Sequence, residues 1–296
     1  PILEIVDFLN ARARENQWGF VDFNRPMVAI NQWEQAEDSM YTLCGKDRIH
    51  PSTDGHLVMA YLFLKAQGLA GKPVADIRID GAGKKVTRSD NCRVSDLSVS
   101  SDNLTFTYEA KSLPYPIDTS YYDNEKHTQA DALSVIPFMD EMNYEGLSVS
   151  GLSDGYYGLT IGGEFIGRFT ARELERGINK ALLQNIPQYK QAMKIRQMNE
   201  ERWLKERKMR EFYWVEYNLM RNTGMLWACN EAAVDTLRKY RPHDIFLQWN
   251  GALWLQYMHK GIREDCVNEQ QDLVNQIYEQ NKPIPLQIEI KKFTDL

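Results

Sequence analysis

The sequence predicts a mixed chain in three stages: an α/β portion first, then antiparallel β-structure, then long helices. Three observations give this order. Apolar residues from Leu3 to Ala13 recur at helical spacing and are followed by the apolar pair Val21 and Phe23 on either side of Asp22, which is strand spacing. Between about 74 and 170 short alternating runs are broken by Asp-Gly, Gly-Gly and Ser-Asp-Asn turns. From Pro187 onward, apolar residues return at helical intervals among many charges, until Pro283 and Pro285 stop the pattern.

Composition narrows the function classes. With 296 residues, 43% of them apolar, the chain has the material for about two globular domains. A formal net charge of −6 argues against a nucleic-acid-binding surface. No apolar run approaches the ~18 residues of a membrane span. The four cysteines, Cys44, Cys92, Cys229 and Cys266, are scattered without a C-x-x-C pair, so no zinc cluster or other metal site is expected; one or two disulfides stay open. No phosphate loop, H-E-x-x-H or cofactor motif is present, and no cofactor is expected.

Residues 1–70 make the first unit. Leu3, Ile5, Val6, Phe8, Leu9 and Ala13 form an apolar helix face suited to covering a sheet, and Trp18–Phe23 reads as a short buried strand. Asp22 is read as satisfying loop amides after that strand. Residues 24–46 form a long connection, a usual place for a substrate entrance. Trp33 lies in it, and either stacks on a substrate or plugs the core. Gly68, Gly71 and Pro73 mark a boundary.

Residues 71–170 form an antiparallel β domain, a small sheet or sandwich, with 113–144 as an inserted loop that holds Tyr115, Tyr121, Tyr122 and His127. Tyr121 and Tyr122 are candidates for substrate contact, since aromatic faces bury area at low entropy cost; tyrosines packed inward are the alternative. Residues 171–296 form the helical region. Thr170 and Glu173 have capping-box spacing, and a helix from Gln188 to about Arg221 precedes helices over 230–258, broken near Pro242, and 262–281. Leu286, Ile288 and Ile290 then alternate as a final strand. The charges between Arg196 and Arg210 alternate in sign, so they read as a solvated helix face with i,i+4 pairs rather than a binding stripe.

The stretch that carries chemistry is Asp47-Arg48-Ile49-His50-Pro51-Ser52-Thr53-Asp54-Gly55-His56, followed by the apolar run Leu57–Leu64. A histidine acting as general base needs an acceptor on its far ring nitrogen to fix tautomer and orientation. A carboxylate three residues earlier provides one if the chain turns back, and Pro51 biases His50 away from helical dihedrals. Ser52 or Thr53 then caps the helix, and Asp54 complements its dipole. His56 is expected to pack or cap.

Asp-x-x-His-Pro followed by Gly-His and an apolar helix resembles the last conserved block of the SGNH/GDSL esterases and acylhydrolases. The resemblance covers residues 1–70 and implies that they are the C-terminal part of a flavodoxin-like α/β/α domain. It also implies that His50 is the base, that Asp47 orients it, and that the substrate is an acyl ester, an acetylated carbohydrate by family habit. The family's Gly-Asp-Ser nucleophile block is absent upstream of Asp47, so the serine and a missing N-terminal portion of the same protein are expected outside this chain. Gly151-Leu152-Ser153-Asp154-Gly155 imitates that block but reads as a hairpin turn. The layout of residues 145–290 is similar to the region after the esterase domain in some large bacterial members. That implies a periplasmic or secreted protein whose signal peptide lies in the missing portion. Two further expectations remain: a non-catalytic carbohydrate- or protein-binding module that keeps part of an esterase fold, and a homodimer through the helical region.

Overall fold

The computed structural model describes residues 2–121 and 127–293. Contacts gather Pro1–Lys190 and Pro283–Leu296 into one unit and Gln191–Lys282 into a second. The first unit is mixed α/β with two sheets, and the second is helical.

Three helices open the first unit: α1 (Ile2–Glu15), α2 (Asn24–Glu34) and α3 (Thr53–Ala66). The apolar face expected on α1 forms but is largely uncovered, with only Ala13 of the helix buried. Residues 18–23, expected as the last strand of a flavodoxin-like sheet, pair with no strand among the described residues. A buried parallel strand needs ladder partners on its edges, and the first strand of the chain is β1 (Ala75–Asp80), already held by its own neighbours. Asp22 accepts from a backbone amide after it, as expected, here at the start of α2: the Arg25 N–H lies at 3.1 Å and the Arg25 guanidinium at 2.8 Å.

Most strands fall where the sequence alternates, but the β region expected as antiparallel contains one parallel pair. One sheet has the order β2 (Lys85–Asp90), β1, β5 (Glu145–Ser150), β8 (Ile178–Asn179), with β1 and β5 parallel. The other has the order β3 (Cys92–Val99), β4 (Asn103–Ala110), β9 (Leu286–Lys292), β6 (Tyr156–Ile161), β7 (Glu164–Thr170) and is antiparallel. The last strand in sequence therefore sits at the centre of this sheet, where Leu286, Ile288 and Ile290 alternate inward. Leu104, Phe106 and Tyr108 on β4, and Tyr157, Leu159 and Ile161 on β6, do the same. Phe165 does not. A register shift between Leu159 and Thr160 turns Ile166 inward and leaves Phe165 exposed.

The inner faces of the two sheets meet at a buried polar group. The Tyr108 hydroxyl donates to Glu145 Oε1 at 2.8 Å, and Lys180 Nζ lies 3.4 Å from the same oxygen and over the Tyr108 ring. Burial and the Glu145 carboxylate push the Tyr108 phenol far up, so it remains a donor.

Residues 113–144 are not a free loop. They hold a 3-10 helix (Gln129–Ser134) and the short α4 (Phe138–Glu141), and Ile117, Ala132, Ile136, Phe138 and Met139 share a core with Leu43, Leu57, Val58 and Tyr61. Further on, Thr170 and Glu173 form the capping box of α5 (Ala171–Arg176), and Gly177 ends it at φ +94°.

The second unit contains most of α6 (Pro187–Val215), then α7 (Glu231–Tyr240), α8 (Ile245–Tyr257) and α9 (Lys260–Gln280). Asn230 caps α7 through the Ala233 N–H at 3.0 Å. The Arg196–Glu200, Arg207–Glu211 and Arg210–Glu206 pairs lie along α6 as i,i+4 bridges. Its core gathers Phe212, Val215, Leu237, Trp254 and Tyr257, and the Trp254 indole donates to the buried Glu216 at 2.8 Å. The four cysteines are free. No described helix is long and apolar enough to cross a membrane.

Candidate active site

The Asp47–His50 stretch folds as a closed turn. The Gly45 N–H donates to His50 O at 2.7 Å, Cys44 pairs with Pro51 in an antiparallel bridge, and Arg48 takes φ +56° to reverse the chain. This closure puts the carboxylate under the ring: His50 Nδ1 lies 2.6 Å from Asp47 Oδ2. Asp47 Oδ1 accepts the N–H groups of Ile49 at 2.9 Å and of His50 at 3.1 Å. The His50 hydrogen bond, then these two amides, lower the Asp47 carboxyl to about 2.

Because Asp47 occupies Nδ1, the free ring nitrogen of His50 is Nε2, and the side chain is 84% exposed. An ionised carboxylate on Nδ1 selects the tautomer with a basic Nε2 and stabilises the imidazolium when Nε2 takes a proton. The arrangement is the one a general base needs, with Nε2 bonded to nothing among the described residues.

The depressed value has a testable consequence. A carboxyl lowered on folding contributes stability above its unfolded value of ~3.9, and loses it as pH falls through the folded value. The turn should therefore loosen in acid as Asp47 protonates near pH 2. A carbon-13 titration of the carboxyl should show that midpoint and should move it toward the ordinary range in His50→Gln.

Helix α3 anchors the turn through close backbone packing. A Cβ on Gly55 would sit 2.0 Å from Leu43 O and 3.1 Å from its carbonyl carbon. Gly55→Ala must displace the strand-like segment ahead of the turn, at a cost of about 1–3 kcal/mol. The midpoint of urea unfolding should fall without a change in slope. Ser52 precedes α3 without a side-chain cap; its N–H and hydroxyl both reach Leu43 O, at 3.0 and 3.1 Å, and the hydroxyl also bonds Asp54. Asp54 stands in the first turn of α3, as expected of a dipole partner, and it is buried there. His56 is exposed on the first turn of α3, so it does not pack into the core.

The other sequence candidates fall apart from this turn. Trp33, at the end of α2, is 80% exposed, so it does not plug the core. Tyr121 is also exposed, and Tyr122 lies outside the described residues. None of the ring contacts among the described residues joins Trp33 or Tyr121 to His50. Ser153 sits in the turn before β6, where it accepts from Lys292 Nζ at 2.8 Å and bonds the Tyr157 hydroxyl at 3.1 Å, not His50. Cys44 lies in the same turn, but burial pushes its thiol up, away from a reactive thiolate. Sequence reasoning missed the pairing of Asp54 with His127, whose Nδ1 lies 3.9 Å from Asp54 Oδ2. Residues 73 positions apart give no spacing signal. Among the described residues, no three of the metal-binding types converge on one point.

Residues 193–282 match the family described as the diltiazem deacetylase C-terminal helical domain, nearly the bounds of the second unit. Among solved structures, the chain is similar to a gut microbial diltiazem-metabolizing enzyme, with 41% sequence identity over 99% of this chain and a TM-score of 0.92. It spans 66% of that enzyme's chain. No curated protein matches.

Proposed function

We propose that this chain carries the base and its orienting acid for a serine esterase of SGNH type that removes an acyl group, acetyl foremost, from an alcohol. The observation that carries the reading is the 2.6 Å bond from Asp47 to His50 Nδ1, with Nε2 left open to solvent. Similarity to a diltiazem-metabolizing enzyme along nearly the whole chain, and the match of 193–282 to a deacetylase domain, support the same chemistry.

In this reaction a serine outside the chain attacks the ester carbonyl and gives its proton to His50 Nε2. Collapse of the tetrahedral intermediate expels the alcohol, which takes that proton. Water then repeats the sequence on the acyl-enzyme and releases the acid. The uncovered face of α1, with Leu3, Ile5, Phe8 and Leu9 exposed, is where the sheet carrying that serine would pack. The neighbouring enzyme has the additional length to hold such a layer, since this chain spans 66% of it.

The proposed substrate class is an acetyl ester of a bulky alcohol, with an acetylated carbohydrate as the natural form and exposed Trp33 and Tyr121 available for stacking. The test is acetate release from diltiazem and from acetylated sugars by the complete protein and by its His50→Ala variant. Release that depends on His50 supports the assignment, and equal rates remove His50 from the mechanism.

A further inference from the structure

Helix α3 meets residues 113–144 through polar contacts at both ends and apolar contacts between. At its C-terminal end, Glu141 accepts from the Tyr61 hydroxyl at 2.8 Å and from Lys65 at 2.9 Å. Midway, Leu57 and Val58 share a core with Ala132 and Ile136. At its N-terminal end stands Asp54, 1% exposed. Its Oδ1 accepts from Ser52 and from the Gly55 N–H at 2.8 Å, while its Oδ2 has no hydrogen-bond partner among the described residues.

A carboxylate buried with one oxygen unmatched is costly unless a cation or donor compensates it. Among the described residues, the side chains against Asp54 are Ser52, Tyr41, His127 and Cys44, whose thiol burial pushes up and leaves uncharged. Ser52 is already spent on Leu43 O and Oδ1. Tyr41 has its phenol pushed up to about 12, by burial first and the Asp54 charge second, and so adds no charge of its own. His127 remains, with Nδ1 at 3.9 Å from Oδ2 and its ring held edge-on by Tyr41 at 5.9 Å between centroids. Asp54 is linked to the proposed base through the backbone: it holds Ser52, Ser52 is bonded to Leu43, and the Cys44–Pro51 bridge with the Gly45–His50 hydrogen bond closes the turn that carries Asp47 and His50.

We infer that His127 is a positioning residue for the His50 base: by matching the buried Asp54 carboxylate it ties residues 113–144 to the turn that presents Asp47 and His50. Its functional meaning rests on the esterase reading, but its geometry does not. The test is nitrogen-15 NMR of the histidine imidazoles in the complete chain, without substrate, with the His50 signal assigned by substitution. His127→Gln and Asp54→Asn should each shift the His50 Nδ1 signal toward its position in Asp47→Asn, and the double variant should shift it no further than either alone. His127→Lys, which places a donor against Asp54, should hold the wild-type position. If His127→Gln unfolds, Asp54→Asn alone gives the reading. An unmoved His50 signal in the single variants, or effects that add in the double, would overturn the inference. Because the signal is read without turnover, failure here is distinct from a failure of His50 to support ester hydrolysis.

Discussion

His50→Ala in the complete protein should lower kcat for acetyl-ester hydrolysis by about 10²- to 10⁴-fold, the range supplied by a positioned general base. KM should change little, because the imidazole acts on a proton in transit and not on the bound ester's remote groups. Asp47→Asn should approach the same loss with the fold intact. The amide can place its NH₂ against Nδ1 and so select the tautomer with the proton on Nε2, which cannot accept the serine proton. It also removes the charge that stabilises the imidazolium. The short Asp47–His50 bond and the two amides on Asp47 Oδ1 make the pair a unit, so the double variant should lose little more than the worse single. Steady-state rates with an acetyl ester check all three.

The largest effect on stability is expected at Lys180. Its ammonium and the Glu145 carboxylate are both 0% exposed, 3.4 Å apart, with Tyr108 donating to the same oxygen. Lys180→Met keeps the volume but strands a buried carboxylate, which costs about 3–5 kcal/mol when a buried pair is broken from one side. On the scale of 2–4 °C per kcal/mol for domains of this order, the melting temperature should drop by ~10 °C. Adding Glu145→Gln removes the stranded charge and keeps an acceptor for the Tyr108 hydroxyl, so the double variant should recover most of the loss. Thermal unfolding followed by circular dichroism separates the two. A Lys180→Met chain as stable as wild type would mean that the Tyr108 hydroxyl and the Gln188 amide, which donates to the same oxygen at 3.4 Å, suffice for Glu145.

What the sequence made legible was local. Asp47 and His50 are three residues apart beside Pro51, and the turn they need is encoded within that stretch. Alternation located β4, β6 and β9 because each has one face in the core, and the Thr170–Glu173 capping box lies within four residues. Long-range pairings were not legible. Glu145 with Lys180, Asp54 with His127 and Tyr61 with Glu141 join ordinary residues across 35 to 80 positions, and only the fold sets them face to face. The tyrosine-containing insertion showed no period because its short helices take their order from packing on α3. Trp18–Phe23 has the pattern of a strand, but a strand forms only with partners beside it, and the described residues supply none. Phe165 was misplaced by a single register shift, which reverses every side chain beyond it.

On the proposed mechanism, His50 activates a serine outside residues 1–296. The most direct measurement is labelling of the complete protein with a fluorophosphonate, which traps only an activated serine, followed by peptide mapping. The account predicts one labelled serine outside residues 1–296, with labelling lost in His50→Ala. A label on Ser153, or undiminished labelling without His50, would contradict it.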